Sequence, residues 1–190
     1  MDIKIVPGRP CDASAISQAI CMAVGDEIVN SFAGSPERVP LVYDVFAELA
    51  ARTDSQYSYL NTLVALDGDK VAGLIISYDG ARLYDLRKAF IETAATRLGV
   101  DFTDGLPDET DPGEIYLDTL AVFPGWRGRG LAGQLIAAAV EQHKDAGKPI
   151  GLLVDPPNKR AHDLYLKLGF RYVGDRPFAG VMMYHMQIKP

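Results

Sequence analysis

The chain has 190 residues, 48% hydrophobic and 23% charged, which is enough for one substantial core and short for two, so a single domain over residues 1–190 is expected. A formal charge of −6 excludes a general nucleic-acid surface, which needs a basic stripe, and suits neutral or cationic small partners. The only cysteines, Cys11 and Cys21, form no CxxC pair, which excludes a disulfide framework and a thiolate zinc site and fits a reducing cytoplasm. No stretch approaches the ~20 apolar residues that span a bilayer, and the first residues lack the apolar centre of a signal peptide, so no membrane role is expected.

Residues 2–6 alternate like a short strand, and Asp12 is an expected N-cap for a helix carrying Ile16, Ile20 and Val24 on one face. Ser35 and Pro36, cap and first helical position, open a second helix with Leu41, Val45 and Leu49 at four-residue spacing. Residues 60–66 and 71–78 are β-rich runs joined by Asp67-Gly68-Asp69, the pattern of an antiparallel hairpin. Residues 83–98 form the next expected helix, and 101–114 an acidic, turn-rich loop without a basic residue; 79–114 reads as an insertion before the fourth strand.

The last 75 or so residues are denser in signal. A strand over 115–123, a helix over 130–146 and a buried strand over 150–154 make a β-α-β unit. A helix over 159–168 places Ala161, Leu164, Tyr165 and Leu168 on one side and stops at Gly169, and residues 171–173 and 181–188 are expected to close the sheet.

Between the fourth strand and its helix sits Pro124-Gly125-Trp126-Arg127-Gly128-Arg129-Gly130-Leu131-Ala132. Glycines at a strand-to-helix turn let the backbone approach a ligand, and the N–H groups of a first helical turn favour a pyrophosphate. Arg127 and Arg129 add positive charge. Gly128, Gly130 and Gly133 also satisfy GxGxxG, with Asp155 some way downstream. A dinucleotide fold, however, needs several parallel βα units, whereas here a hairpin precedes the motif and few residues follow it.

With its flanks, LAVFPGWRGRGLAGQLI (residues 120–136) resembles the acetyl-CoA signature of the GNAT superfamily, R/Q-x-x-G-x-G/A, met by Arg127, Gly130 and Ala132. Downstream, NKRAHDLYLKLGF (residues 158–170) is similar to the second signature of that family: an Asn opens a helix, a Tyr follows seven residues later and Gly-Phe ends it. The resemblance covers residues 115–170. It implies a mixed α/β fold, a twisted and mostly antiparallel sheet flanked by helices and splayed between its fourth and fifth strands, with the arm of acetyl-CoA in the gap. On this sequence that assigns the arm to the strand segment Leu120, Ala121 and Val122, with main-chain groups of Leu120 and Val122 on the pantetheine amides. It assigns the pyrophosphate to the N–H groups of Arg127, Gly128, Arg129, Gly130, Leu131 and Ala132, and gives Asn158 a bond to the cofactor arm.

Acetyl transfer from a thioester to an amine needs a neutral amine, a polarised carbonyl and a proton for the departing thiolate. The resemblance sets Tyr165 beside the sulfur, where a buried phenol can donate that proton; judged from its helical face alone it is a core aromatic. Two carboxylates compete as base: Asp118 on the fourth strand, where some glucosamine-phosphate-type members of the family carry an acid, and Glu114 just ahead of it. A main-chain N–H of the splayed strand, Val122 or its neighbour, would hold the carbonyl oxygen. No metal is expected, since His143, His162 and His185 show no ligand spacing. The acceptor, an amine of a small molecule or peptide, should be gripped by the first two helices, residues 79–114 and a loop near 174–181, and the acidic 101–114 run could attract a cationic one. The resemblance makes a homodimer through late strands an expectation. An idle acyl-CoA-binding module is the alternative to an enzyme.

Overall fold

The computed structural model describes residues 3–102, 105–178 and 180–189. Seven strands form one sheet: β1 (Ile3–Pro7), β2 (Thr62–Asp67), β3 (Lys70–Asp79), β4 (Ile115–Val122), β5 (Ile150–Val154), β6 (Arg171–Phe178) and β7 (Val181–Ile188), in the order β1-β2-β3-β4-β5-β7-β6. Among the described residues only the β4–β5 pairing is parallel. A doubly wound dinucleotide fold needs a parallel sheet, so the GxGxxG coincidence at Gly128 carries no such meaning.

The pairing of β4 with β5 is short. Ile115 opposes Ile150 and Tyr116 opposes Gly151, the first two rungs of strands that run on to Val122 and Val154. Beyond those rungs the strands diverge, and the expected splay lies there. On its other edge β4 pairs with β3 throughout, but Ile76 opposes Thr119 while Ser77 opposes Leu117. Asp118 is therefore the extra residue of a β-bulge, which re-aims its side chain and twists the strand.

Helices cover both faces. On one lie α1 (Ala13–Val24), α2 (Asp26–Ala33), α3 (Val39–Ala51) and α4 (Leu83–Thr93), the last continued by a π-helical turn through Leu98. Their apolar stripes meet the sheet through Ile16, Ile20, Val45, Phe46, Leu83 and Phe90, all buried. Tilted, edge-on and stacked contacts among Phe32, Phe46, Tyr57, Phe90 and Phe102 fill the space between them. On the other face α5 (Leu131–Gln142) and α6 (Lys159–Lys167) pack over Ile75, Leu117 and Leu152, with Leu135, Ile136 and Phe170 fully buried. Residues 79–114 supply part of the first core, through Leu86, Phe90 and Phe102, so they are built into the domain.

Three elements differ from the sequence reading. Helix α2 was not expected: it is short, and its buried residues Val29 and Ala33 give a single four-residue spacing, too little for a periodic signal. Strand β6 runs to Phe178, taking in most of the segment read as a loop near 174–181, because seven rungs with β7 carry it past Gly174 and Pro177. Pro177 is tolerated because β6 is the sheet's edge, where a missing N–H leaves no ladder bond unmade. The helix opened by Pro36 begins as a 3-10 turn and becomes α-helical only at Val39. Residue 2 of the first expected strand, residues 103 and 104 of the acidic loop and residue 179 lie outside the described residues. No helix among the described residues is long and apolar enough to cross a membrane.

Candidate functional site

Strand β4 has one edge committed and one open. The Phe123 N–H donates to the Ala72 carbonyl at 3.0 Å, which makes that pair a hydrogen-bonded rung. Rungs alternate along an antiparallel ladder, and Leu74 opposes Ala121 while Gly73 opposes Val122 and Ile75 opposes Leu120. The main-chain groups of Ala121 therefore turn to β3, and those of Leu120 and Val122 turn to the splay. Of the strand segment assigned to the cofactor arm, Leu120 and Val122 are presented and Ala121 is not. Arg127 folds back onto this edge: its Nε donates to the Val122 carbonyl at 2.9 Å, and its guanidinium reaches Met22 Sδ on α1.

The chain leaves β4 through a 3-10 turn, Pro124–Trp126, and enters α5 at Leu131 with Gly130 as N-cap. Gly128 and Gly130 hold φ of +76° and +74°, the left-handed region where glycine carries no Cβ penalty. A Cβ on either would meet nothing within 4 Å, so backbone conformation and not crowding calls for glycine, and the space above the turn is open. The helical ladder begins with Gln134 N–H donating to the Gly130 carbonyl, so the N–H groups of 131–133 precede it and form the cradle an anionic group needs. Leu131 anchors that first turn in the core while Ala132 is half-buried and Arg129 exposed. Trp126 Nε1 donates to Asp67 Oδ2 at 2.9 Å, tying the turn to the β2–β3 hairpin.

In the splay, Asp118 and Tyr165 line the same narrow cleft, with Leu117 and Leu120 of β4 and Leu152 and Leu153 of β5 as its walls. Two residues 47 positions apart, chosen as acid and base, are thus brought together. Tyr165 comes from α6 and rests on Phe170, ring centroids 5.8 Å apart. Burial pushes its phenol up to about 12, so it carries its proton at neutral pH. Asn158 caps α6, its Oδ1 accepting from Ala161 N–H at 3.2 Å, so what it can offer a cofactor arm is its amide N–H.

Asp118 is held in a polar cluster that the sequence reading missed. Thr119 Oγ1 donates to its Oδ1 at 2.8 Å, Tyr78 OH and Gln56 Nε2 to its Oδ2 at 3.2 and 3.3 Å. The same two donors reach Glu109 Oε1 at 3.1 and 3.2 Å, so two carboxylates share them. Glu109 is paired on its other oxygen with Arg87, which also binds Asp108 and the Leu106 and Pro107 carbonyls. Burial, reinforced by the Glu109 charge, pushes the Asp118 carboxyl up to about 6. Nothing local to Gln56, Tyr78, Arg87 or Glu109 marks them in the sequence.

Glu114, the competing carboxylate, sits at the closed end of the splay and is fully buried. His185 and Gln187 side chains of β7 reach its Oε2 at 2.8 Å, and Thr110 Oγ1 donates to its Oε1 at 2.8 Å. Burial pushes this carboxyl up, but those hydrogen bonds outweigh it and the net position is below the usual glutamate value. Gly151 is required beside it, since a Cβ there would stand 1.8 Å from Oε2. Asp111, Glu114 and His185 bring potential ligand atoms within 4.8 Å of one another, a grouping the spacing of the histidines had not suggested; Arg176 pairs with Asp111, and the others serve the bonds just described. The acidic loop is likewise engaged internally: Asp108, Glu109, Asp111 and Glu114 all have protein partners, which weighs against its reading as a solvated lure for cations. A groove of about 500 Å³ opens between α1, α2 and α3 near the end of β4, lined by Gln18, Cys21, Met22, Asp26, Tyr43 and Phe123.

The model of the acetyltransferase (GNAT) family matches residues 26–170. A curated acetyltransferase of Agrobacterium fabrum is 29% identical over 100 residues, which span 53% of this chain and 72% of that protein. The crystal structure of an N-acetyltransferase from Staphylococcus aureus Mu50 superposes with a TM-score of 0.78 at 27% identity, over 97% of this chain and all of the other. The PaiA N-acetyltransferase of Thermoplasma acidophilum, solved in complex with coenzyme A, shares the fold with a TM-score of 0.60 at 14% identity over the whole of both chains.

Proposed function

Since the chain belongs to the GNAT family of acetyltransferases, we propose that it moves the acetyl group of acetyl-CoA onto a primary amine of a small molecule or peptide, by direct attack with both substrates bound. Acetyl-CoA supplies the activated acyl group. The protein's part is to bind, orient and move protons. The N–H groups of 128–132 cradle the pyrophosphate, that of Arg127 being given to the Pro124 carbonyl, and main-chain groups of Leu120 and Val122 pair with the pantetheine arm, steadied by the Asn158 amide. The Leu120 or Val122 N–H polarises the carbonyl. Asp118, ionised above about pH 6, takes the proton of the incoming ammonium directly or through water, and Tyr165 returns a proton at the sulfur.

The observation that carries this reading is that Asp118 and Tyr165, from β4 and α6, face one cleft in the splay, next to main-chain groups that no strand pairs. The test follows thiol release from acetyl-CoA across a panel of primary amines. At least one amine should be turned over, and Tyr165→Phe should lower kcat for it by about 10²-fold while leaving coenzyme A affinity unchanged. Stabilisation by coenzyme A with no turnover of any amine would overturn the catalytic reading in favour of an acyl-CoA-binding module.

A further inference from the structure

Asp118 does not stand alone. Glu109 reaches it from the loop that follows α4, and the two carboxylates are bridged by the same pair of donors, Tyr78 OH and Gln56 Nε2. A phenol has one proton, so Tyr78 can serve one carboxylate at a time. The far oxygen of Glu109 is gripped by Arg87, a buried guanidinium from α4 that also binds the Leu106 and Pro107 carbonyls just ahead of it. That grip keeps Glu109 in place, with its other oxygen turned to the two donors it shares with Asp118. Among the described residues, the other titratable groups around Asp118 are Tyr57, Tyr78, Tyr116 and, across the cleft, Tyr165; α1 and β5, which pack against β4, contribute no charged residue.

We propose that Glu109 is a positioning residue for Asp118: its fixed negative charge and its claim on the Tyr78 proton set how tightly the β4 carboxylate holds a proton. The consequence is a base matched to neutral pH, where an ordinary aspartate on a strand would be too weak to take a proton from an ammonium. This rests on the reading of Asp118 as base only for its catalytic meaning; the coupling itself is a property of the free protein. Segment 79–114, at first sight an insertion, then has a defined task, because it supplies both Glu109 and the arginine that holds it.

The experiment is a ¹³C-carboxyl NMR titration of Asp118 in the full chain, beside the pH profile of acetyl transfer to whichever amine is turned over. In Glu109→Gln the Asp118 midpoint should fall by about one pH unit or more, as expected on removing a like charge. In Tyr78→Phe, which removes a donor to the ionised form, it should rise. Opposite shifts in two variants of one cluster are not what a general loosening produces. An Asp118 midpoint unmoved in folded Glu109→Gln overturns the inference, and if that variant does not fold, an unmoved midpoint in Tyr78→Phe does so. A midpoint that moves while the acid limb of the rate profile stays put leaves the coupling intact and sinks instead the reading of Asp118 as base.

Discussion

The two ends of the β4–β5 seam hold carboxylates four residues apart, Glu114 just ahead of β4 and Asp118 within it, and the fold treats them in opposite ways. At the closed end, where Ile115 and Tyr116 still pair with β5, Glu114 collects partners from β7 and from Thr110 and is held ionised. At the open end Asp118 bulges out of the strand, shares its donors with a second carboxylate and is pushed toward its protonated form. Burial acts on both. What separates them is whether the surrounding donors outnumber the negative charges they must satisfy. A carboxylate with a full set of donors ties strands together; one left short of donors beside a cleft can exchange its proton.

The sharpest way to break that contrast is Glu114→Ala. It leaves His185, Gln187 and Thr110 without the acceptor they surround, and a stability loss of ~3–5 kcal/mol is expected, a drop in Tm of roughly 10 °C. Thermal and denaturant unfolding would measure it, and a loss below about 1 kcal/mol would show that the closed end needs no latch. Because hydrogen bonds hold Glu114 low, its contribution is present above the unfolded glutamate pKa of 4.5 and is lost as the pH falls.

Asp118→Asn should do the reverse: activity falls, stability does not. A decrease in kcat/KM of about 10²–10³-fold is expected for loss of a general base. The sign of the linkage is also opposite. The folded carboxyl lies near 6 against 3.8 unfolded, so Asp118 contributes stability at low pH that is lost as the pH rises from 3.8 through 6. The Asn variant should therefore lose that decline and be no less stable than wild type at pH 8; lower stability there would mean that Asp118, like Glu114, is a structural carboxylate.

Gly130→Asp sharpens the open end from its other side. Aspartate tolerates the left-handed backbone at a cost of about 1 kcal/mol, and it places a carboxylate above the turn. Thermal stabilisation by coenzyme A should disappear while the unliganded protein loses only a few degrees. An undiminished coenzyme A shift would move the pyrophosphate away from residues 128–132.

Much of the fold was legible because its signals are local. The helical patterns of α1, α3, α4, α5 and α6 and the β-rich runs of β2 and β3 each lie within one element, and so did the glycine turn at 128–130. Where a stripe was too brief, as in α2 with Val29 and Ala33, or where pairing with a neighbour overrode turn-forming residues, as in β6 through Gly174 and Pro177, local pattern was not enough. At the site the same division holds. Tyr165 stood out through a motif, whereas Asp118 and Glu114 looked alike as competing carboxylates and Gln56, Tyr78, Arg87 and Glu109 belong to no motif.

The sequence by itself determined the glycine turn at 128–130, the two signature helices and the family to which the chain belongs, because a helix cap, a left-handed glycine and an apolar stripe depend on residues within a turn or two of one another. Tertiary structure alone decided where β4 and β5 part, which main-chain groups of β4 face the gap, and which carboxylate is latched and which is poised. Those outcomes depend on donors and charges that come together from more than 50 residues away, as Gln56 does to Asp118 and Glu114 to His185, and on the loss of water around them, which no stretch of sequence contains.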